Sequence, residues 1–289
     1  MRFCFIWWGN FYSFRITTFI SPGFLSNLWF FSINNINIFK EKIQRGELCI
    51  GTSVTFNDSA ISELLGDVGY DFTWIDMEHC PIDINMALQH VMAVRGTHAA
   101  PFIRALSGDP ITIKPILELH PAAIIIPQVQ TVEDVTRAVA ACKYPPKGQR
   151  GFGPRRGRQF GGIPYPEYLK DADDQIMVII QIEHINAVMA LDDILNVSGL
   201  DGLCLGFNDL AGSMGFSGQI THPQVIAAAD GVIKKTCQTK KSIGIAMGYD
   251  PPAINAWIEK GIHWISIGSD FFNLFNYSRQ MLEDLRTRR

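Results

Sequence analysis

Five apolar stretches of this 289-residue chain end in polar side chains that could do chemistry. WIDMEH brings Asp76, Glu78 and His79. PFIR ends in Arg104, IIIPQ in Gln128 and IIQIE in Gln181 and Glu183, while LGFNDL sets Asn208 and Asp209 just beyond Gly206 and Phe207. Each residue has a plain reading by itself: Arg104 as a solvated charge, His79 as a satisfied core histidine, Cys80 as a packed thiol rather than a nucleophile. Together they suggest one site, because strands of a parallel sheet open their carboxyl ends on a common rim. Glu183 and Asp209 close consecutive strands, and such neighbours lie about 4.8 Å apart, so the two carboxylates can meet on one hard divalent cation. Two carboxylates leave most of an octahedron for water and substrate oxygens, as Mg²⁺ usually requires. The competing reading is that the same pair only caps neighbouring helices.

The elements that must position these residues alternate along the chain. Strand-like runs occupy 49–56, 72–77, 100–106, 122–129, 176–183, 199–207, 242–248 and 263–270. Helical spacing fills 58–68, 83–94, 110–118, 131–142, 187–196, 222–238, 251–260 and 271–286, with start signals at Asp83, Asp109-Pro110, Thr131 with Asp134, and Pro251-Pro252. Eight such units predict an α/β fold of one domain, a (β/α)8 barrel over 39–289, since barrels of this kind take about 250 residues. No lysine falls in any of the eight runs, which removes a strand-borne Schiff base and favours a metal as electron sink for chemistry beside a carbonyl. Arg104 would then stabilise an enolate oxygen, and His79 would move the proton with Asp76 fixing its ring. Between the fourth helix and fifth strand, 143–175 is too long for a plain turn and holds four arginines without an acid from 147 to 162, so it is expected over the barrel mouth or at a subunit contact.

Composition excludes several classes. With 47% hydrophobic residues and 25 Lys+Arg against 28 Asp+Glu, the chain is neither a disordered polyelectrolyte nor a basic nucleic-acid binder. Six scattered cysteines, without a CxxC pair, read as reduced thiols of a cytoplasmic protein. Residues 1–38 stand apart. They contain no acid and 12 of the 32 aromatics, and they are read as an extension dispensable for folding: a targeting leader, an erratic extension or a misassigned start. Gly9, Asn10, Pro22 and Asn34 interrupt each apolar stretch before it could span a membrane.

The strings WIDMEH, PFIR, IIIPQVQ, YPPKGQRGFG, QIE and LGFNDLAGSMG, in this order from about Phe39 to Leu285, resemble the HpcH/HpaI aldolase and citrate lyase family. The resemblance implies a (β/α)8 barrel that holds Mg²⁺, Mn²⁺ or Co²⁺ through Glu183 and Asp209. It implies pyruvate bound near Gln181 with its carboxylate against the backbone amides of Gly206, Phe207, Asn208 and Asp209. Arg104 would face the keto oxygen, and His79, paired with Asp76, would act through metal-bound water. Glu118 stands where the family's aspartate serves an adjoining subunit, and hexamers of swapped dimers are implied. The activity implied is cleavage of a 4-hydroxy-2-oxo acid to pyruvate and an aldehyde, without nucleic acid or membrane partners. The same enolate would serve an oxaloacetate decarboxylase or, given Trp74 and Phe152-Gly153-Pro154, a relative of macrophomate synthase, a fungal member that adds it to a pyrone. Two expectations depart from the family pattern: Glu118 is one methylene longer than aspartate, and Phe207, in place of a proline, would narrow the pyruvate pocket. From other classes, the rivals are a catalytically inactive barrel retained for assembly and an RNA binder acting through RGFGPRRGR.

Overall fold

The computed structural model describes residues 33–287. Eight parallel strands close a barrel in sequence order: β1 (Cys49–Val54), β2 (Phe72–Asp76), β3 (Ala100–Arg104), β4 (Ala123–Ile126), β5 (Met177–Ile182), β6 (Gly202–Leu205), β7 (Ser242–Met247) and β8 (Trp264–Ser269). Around them run α1 (Ile36–Gln44), α2 (Ala60–Val68), α3 (Ile84–Ala93), α4 (Pro110–Glu118), α5 (Val132–Cys142), α6 (Tyr165–Asp171), α7 (Ile185–Met189), α8 (Leu191–Leu195), α9 (Phe207–Ser213), α10 (Pro223–Thr236), α11 (Pro251–Glu259) and α12 (Asp270–Arg286). The expected starts are present. Asp83 and Asp109 accept from Met86 N and Ile111 N, and Thr131 and Asp134 form a reciprocal capping box.

Strand parity divides the apolar residues into two cores. Phe72, Trp74, Phe102, Ile125, Met177, Ile179, Cys204 and Trp264 fill the lumen. Ile75, Ile103, Ile124, Ile126, Val178, Ile180, Leu203 and Leu205 face outward to the helices. Since side chains alternate with period two, the inward series Phe72–Trp74 continues to Asp76, Phe102 continues to Arg104, and Met177–Ile179 continues to Gln181 and Glu183. The polar site therefore forms the topmost layer of the same stack. Lower down, the rings need room, and a Cβ on Gly244 would overlap the indole of Trp264.

The amino end is closed by a helix that the eight-unit pattern did not include. Ile36 and Phe39 of α1 are 1% exposed and join the lumen core. The Phe39 ring meets Phe102 edge-on at 4.8 Å and Phe72 at 5.8 Å. Before the helix, Asn34 Nδ2 donates to Pro121 O and Gln175 O, and Asn35 Nδ2 donates to Thr97 O and Ala99 O. The boundary expected between 38 and 39 thus falls inside α1, because an open barrel end needs an apolar plug and the chain supplies it from 34–39. The leader and membrane readings of 1–32 lie outside the described residues.

Of the two places expected for the long connection 143–175, the structure removes one. The connection leaves α5 and enters β5 at the amino end, so it does not cover the mouth, and it contains α6, which the sequence pattern missed. Its backbone is pinned by Gln149 N donating to Ala140 O and Arg150 N to Lys143 O. Its Arg150 reaches Leu117 O. At the other end, the seam between β8 and β1 is stapled by Asp270, the first residue of α12. Its carboxylate accepts from Thr55 N (2.8 Å), the Thr55 hydroxyl (2.5 Å) and Phe56 N (3.0 Å).

Candidate active site

At the carboxyl end of β2 to β5 the inward polar residues form one continuous network. Arg104 grips Asp76 with both arms, Nε to Oδ1 at 2.9 Å and Nη2 to Oδ2 at 2.6 Å, while its Nη1 lies 3.2 Å from Glu78 Oε2. Asp76 also accepts from Glu78 N and His79 N, which fixes the turn after β2. Glu78 Oε1 accepts from Gln128 Nε2 at 2.9 Å. Gln128 N donates to Glu183 Oε1 at 2.5 Å, and Gln181 Nε2 donates to Glu183 Oε2. Burial would raise the Asp76 carboxyl, but the two Arg104 bonds hold it below its ordinary range.

Glu183 is in the opposite position. It is 4% exposed, and burial, opposed by the Gln128 amide but reinforced by Glu78 and Asp209, pushes its carboxyl up to about 7. Asp209 approaches from the first turn of α9. Gly206 lets these groups close up, since a Cβ there would stand 2.7 Å from Gln181 Nε2 and 2.8 Å from Glu183 Oε2. Gln181 Oε1 is buried without a hydrogen-bond partner. A tight cradle with crowded carboxylates and an orphaned oxygen fits a small hard cation, to which Glu183 and Asp209 would be the protein ligands. No group of three or more His, Cys, Asp or Glu side chains placed to hold a metal ion occurs among the described residues.

The sequence profile of the HpcH/HpaI aldolase/citrate lyase family matches residues 53–276. The chain belongs to this family. It is 33% identical over 246 residues to hydroxypyruvate/pyruvate aldolase of Roseobacter denitrificans, covering 85% of this chain and 96% of the relative. It is 35% identical over 234 residues to 4-hydroxy-2-oxo-heptane-1,7-dioate aldolase of Salmonella paratyphi C, covering 81% and 89%. An HpcH/HpaI aldolase/citrate lyase family protein of Burkholderia cenocepacia superposes with a TM-score of 0.80 at 28% identity, over 86% of this chain and 99% of that one. Macrophomate synthase superposes at 0.77 over 88% and 90%, and at 23% identity it shows the shared fold alone. The protein is accordingly an enzyme, a lyase of the HpcH/HpaI family.

Within this HpcH/HpaI barrel, two expectations change. The carboxylate facing the His79 ring is that of Glu78, whose Oε2 lies 3.5 Å from Nε2; Asp76 meets only the His79 backbone, because its oxygens are taken by Arg104. The Phe207 ring packs on Trp257 at a centroid distance of 5.0 Å and belongs to the outer core, so it does not narrow a pocket in the lumen. Glu118 ends α4 at the amino end of the barrel, 3.6 Å from Arg150, and this chain does not bring it to its own mouth. Gly206 follows the end of β6, and Asn208 and Asp209, read from the sequence as its strand end, lie exposed in the first turn of α9. Glu78, which the sequence places beside Asp76 and His79 without a role of its own, takes the role expected of Asp76; its spacing of two from Asp76 continues the inward parity.

Proposed function

We propose that this lyase cleaves a 4-hydroxy-2-oxo acid to pyruvate and an aldehyde, with Mg²⁺, or Mn²⁺ or Co²⁺, held by Glu183 and Asp209. What supports the reading most is the buried Glu183 carboxylate, gripped by Gln128 and Gln181 beside Asp209, one network away from Arg104. When bound, the cation would act as Lewis acid toward the 2-oxo group. Arg104 offers fixed positive charge where the enolate oxygen develops. His79, with its side chain 59% exposed and Glu78 behind it, takes the proton from the C4 hydroxyl as the C3–C4 bond breaks, and returns a proton to C3. Gly206 leaves the backbone of the next residues open to the substrate carboxylate. The test is turnover of 4-hydroxy-2-oxo acids with Mg²⁺ or Mn²⁺ supplied. Glu183→Gln should abolish it and EDTA should suppress it, whereas full activity in excess EDTA would sink the metal assignment. Inactivation by borohydride in the presence of pyruvate would indicate a Schiff base instead.

We also read the enzyme as a homo-oligomer built on α12. That helix runs 17 residues with only Asp270 buried, and it exposes Phe275, Leu282 and Leu285 among other large apolar residues. The same chain leaves outward-facing Ile50, near the start of β1, 38% exposed, while Ile265, its partner on β8, is fully covered. Two unburied apolar surfaces on one chain are satisfied together if α12 packs on a second copy. No helix among the described residues is long and apolar enough to cross a membrane. A cytoplasmic location accords with the cysteines Cys49, Cys142 and Cys204, all free and buried.

A further inference from the structure

Gln128 sits where the two halves of the site meet. It follows β4 by way of Pro127, and its φ of +58° puts a non-glycine residue in the left-handed region, between the buried Pro127 and Val129. Such a backbone persists only where its surroundings over-determine it, and it concentrates at functional sites. Here the turn sends one residue in two directions. Its N–H donates at 2.5 Å to Glu183 Oε1, beyond β5, while its Nε2 donates at 2.9 Å to Glu78 Oε1, beyond β2. Those strands are not neighbours, because β3 and β4 lie between them and Arg104 ends β3. Gln128 therefore joins the cation-holding carboxylate to the carboxylate behind His79.

Glu78 has three claimants. Its side chain is 7% exposed; Oε1 is held by Gln128, and Oε2 lies 3.2 Å from Arg104 Nη1 and 3.5 Å from His79 Nε2. Arg104 carries a permanent charge, whereas an imidazole acting as a base is neutral, so a carboxylate free to rotate would turn to the guanidinium and leave the ring. A hydrogen bond on Oε1 removes that rotation. From this geometry we propose that Gln128 is a positioning residue for proton transfer: its side-chain amide clamps Glu78 with Oε2 toward His79, so that the imidazole stays aimed at the C4 hydroxyl. Burial raises the Glu78 carboxyl, and Arg104, His79 and the Gln128 amide oppose it, so the clamp also favours the charged carboxylate. The inference rests on the aldol cleavage read above and assigns a residue to one step of it. The step balances as before: His79 takes the C4 hydroxyl proton as the C3–C4 bond breaks, and neither Glu78 nor Gln128 gains or loses one.

The experiment uses two variants of the full chain that break the contact differently. Gln128→Asn suits the left-handed backbone but is one methylene short of Glu78, and Gln128→Met keeps the length without the donor. Both retain the backbone N–H on Glu183. Each should lower kcat for cleavage of a 4-hydroxy-2-oxo acid by about 10- to 10²-fold, with KM little changed. Oxaloacetate decarboxylation, which reaches the enolate without a base at C4, should fall far less. Mn²⁺ affinity, read by calorimetry, should hold, whereas loss of the Glu183 contact would weaken it by about 10- to 100-fold. In a double-mutant cycle, Gln128→Asn should add nothing to the cleavage loss of Glu78→Ala, since the clamp then has nothing to hold. Undiminished cleavage in both variants, equal losses in the two reactions, weakened Mn²⁺ binding or losses that multiply in the cycle would each overturn the inference. A natural chain that neither cleaves a 4-hydroxy-2-oxo acid nor exchanges the pyruvate methyl protons with solvent deuterium would remove the aldol reading and the inference with it, so the two failures are told apart.

Discussion

His79 and Arg104 serve different bonds, and substitution should separate them. Cleavage of a 4-hydroxy-2-oxo acid requires removal of the C4 hydroxyl proton, whereas oxaloacetate reaches the same enolate by losing CO₂ and needs no base there. His79→Ala should therefore slow aldol cleavage by about 10²- to 10⁴-fold and decarboxylation far less. Arg104→Ala should depress both, because enolate charge develops in both. Equal losses for His79→Ala would show that the ring merely shapes the site. The sequence made Asp76, Arg104, Gln181 and Glu183 legible for one physical reason: each continues the inward parity of a fully buried strand. It left the His79 partner misassigned, because spacing puts Asp76 and Glu78 on the same face, and only the bidentate grip of Arg104 decides which carboxylate remains for the ring. Phe207 was misread for a related reason. At a strand-to-helix junction, residue type does not say which way a side chain turns, and Trp257 lies more than forty residues further along the chain.

At the scale of elements, eight strands and most of the helices followed from periodicity and caps, while α1, α6 and α9 did not. All three sit outside the repeating unit, and α1 is short and interrupted by asparagines at its start. Its plug makes a measurable claim. Phe39→Ala should cost about 3 to 5 kcal/mol in denaturant unfolding, the usual range for emptying a buried aromatic site, and a chain beginning at Phe39 should be less stable than one beginning at Ile33, since it lacks the Asn34 and Asn35 bonds. The turn between α4 and β4 carries a second claim. His120 is 3% exposed at a φ of +55°, and burial, together with Arg150 and Arg156, brings its imidazole down to about 3. The unfolded chain thus binds a proton near pH 6.5 that the folded chain refuses. This contribution to stability is intact above about pH 6.5 and declines as pH falls toward 3, with a slope of at most about 1.4 kcal/mol per pH unit. His120→Asn, which tolerates the left-handed backbone, should flatten that limb of the stability profile. An unchanged limb would assign acid lability to other groups.

For the whole molecule, the unmatched surfaces on α12 and over β1 call for association. Sedimentation should give a multiple of the chain mass, and replacing Phe275 and Leu282 together by aspartate should yield a smaller species with the barrel still folded by far-ultraviolet circular dichroism. A natural chain that sediments as a monomer would refute the arrangement. The position of Asp270 gives that association a catalytic meaning. The helix that would leave for another copy begins at the residue whose carboxylate staples Thr55 and Phe56 to the rim, so the pivot of the exchanged arm and the fastening of the β1 loop are one side chain. Subunit separation would therefore slacken the β1 side of the rim while leaving the carboxylates that follow β2 and β5 in place. Specific activity becomes a reporter of protein concentration: turnover falls on dilution.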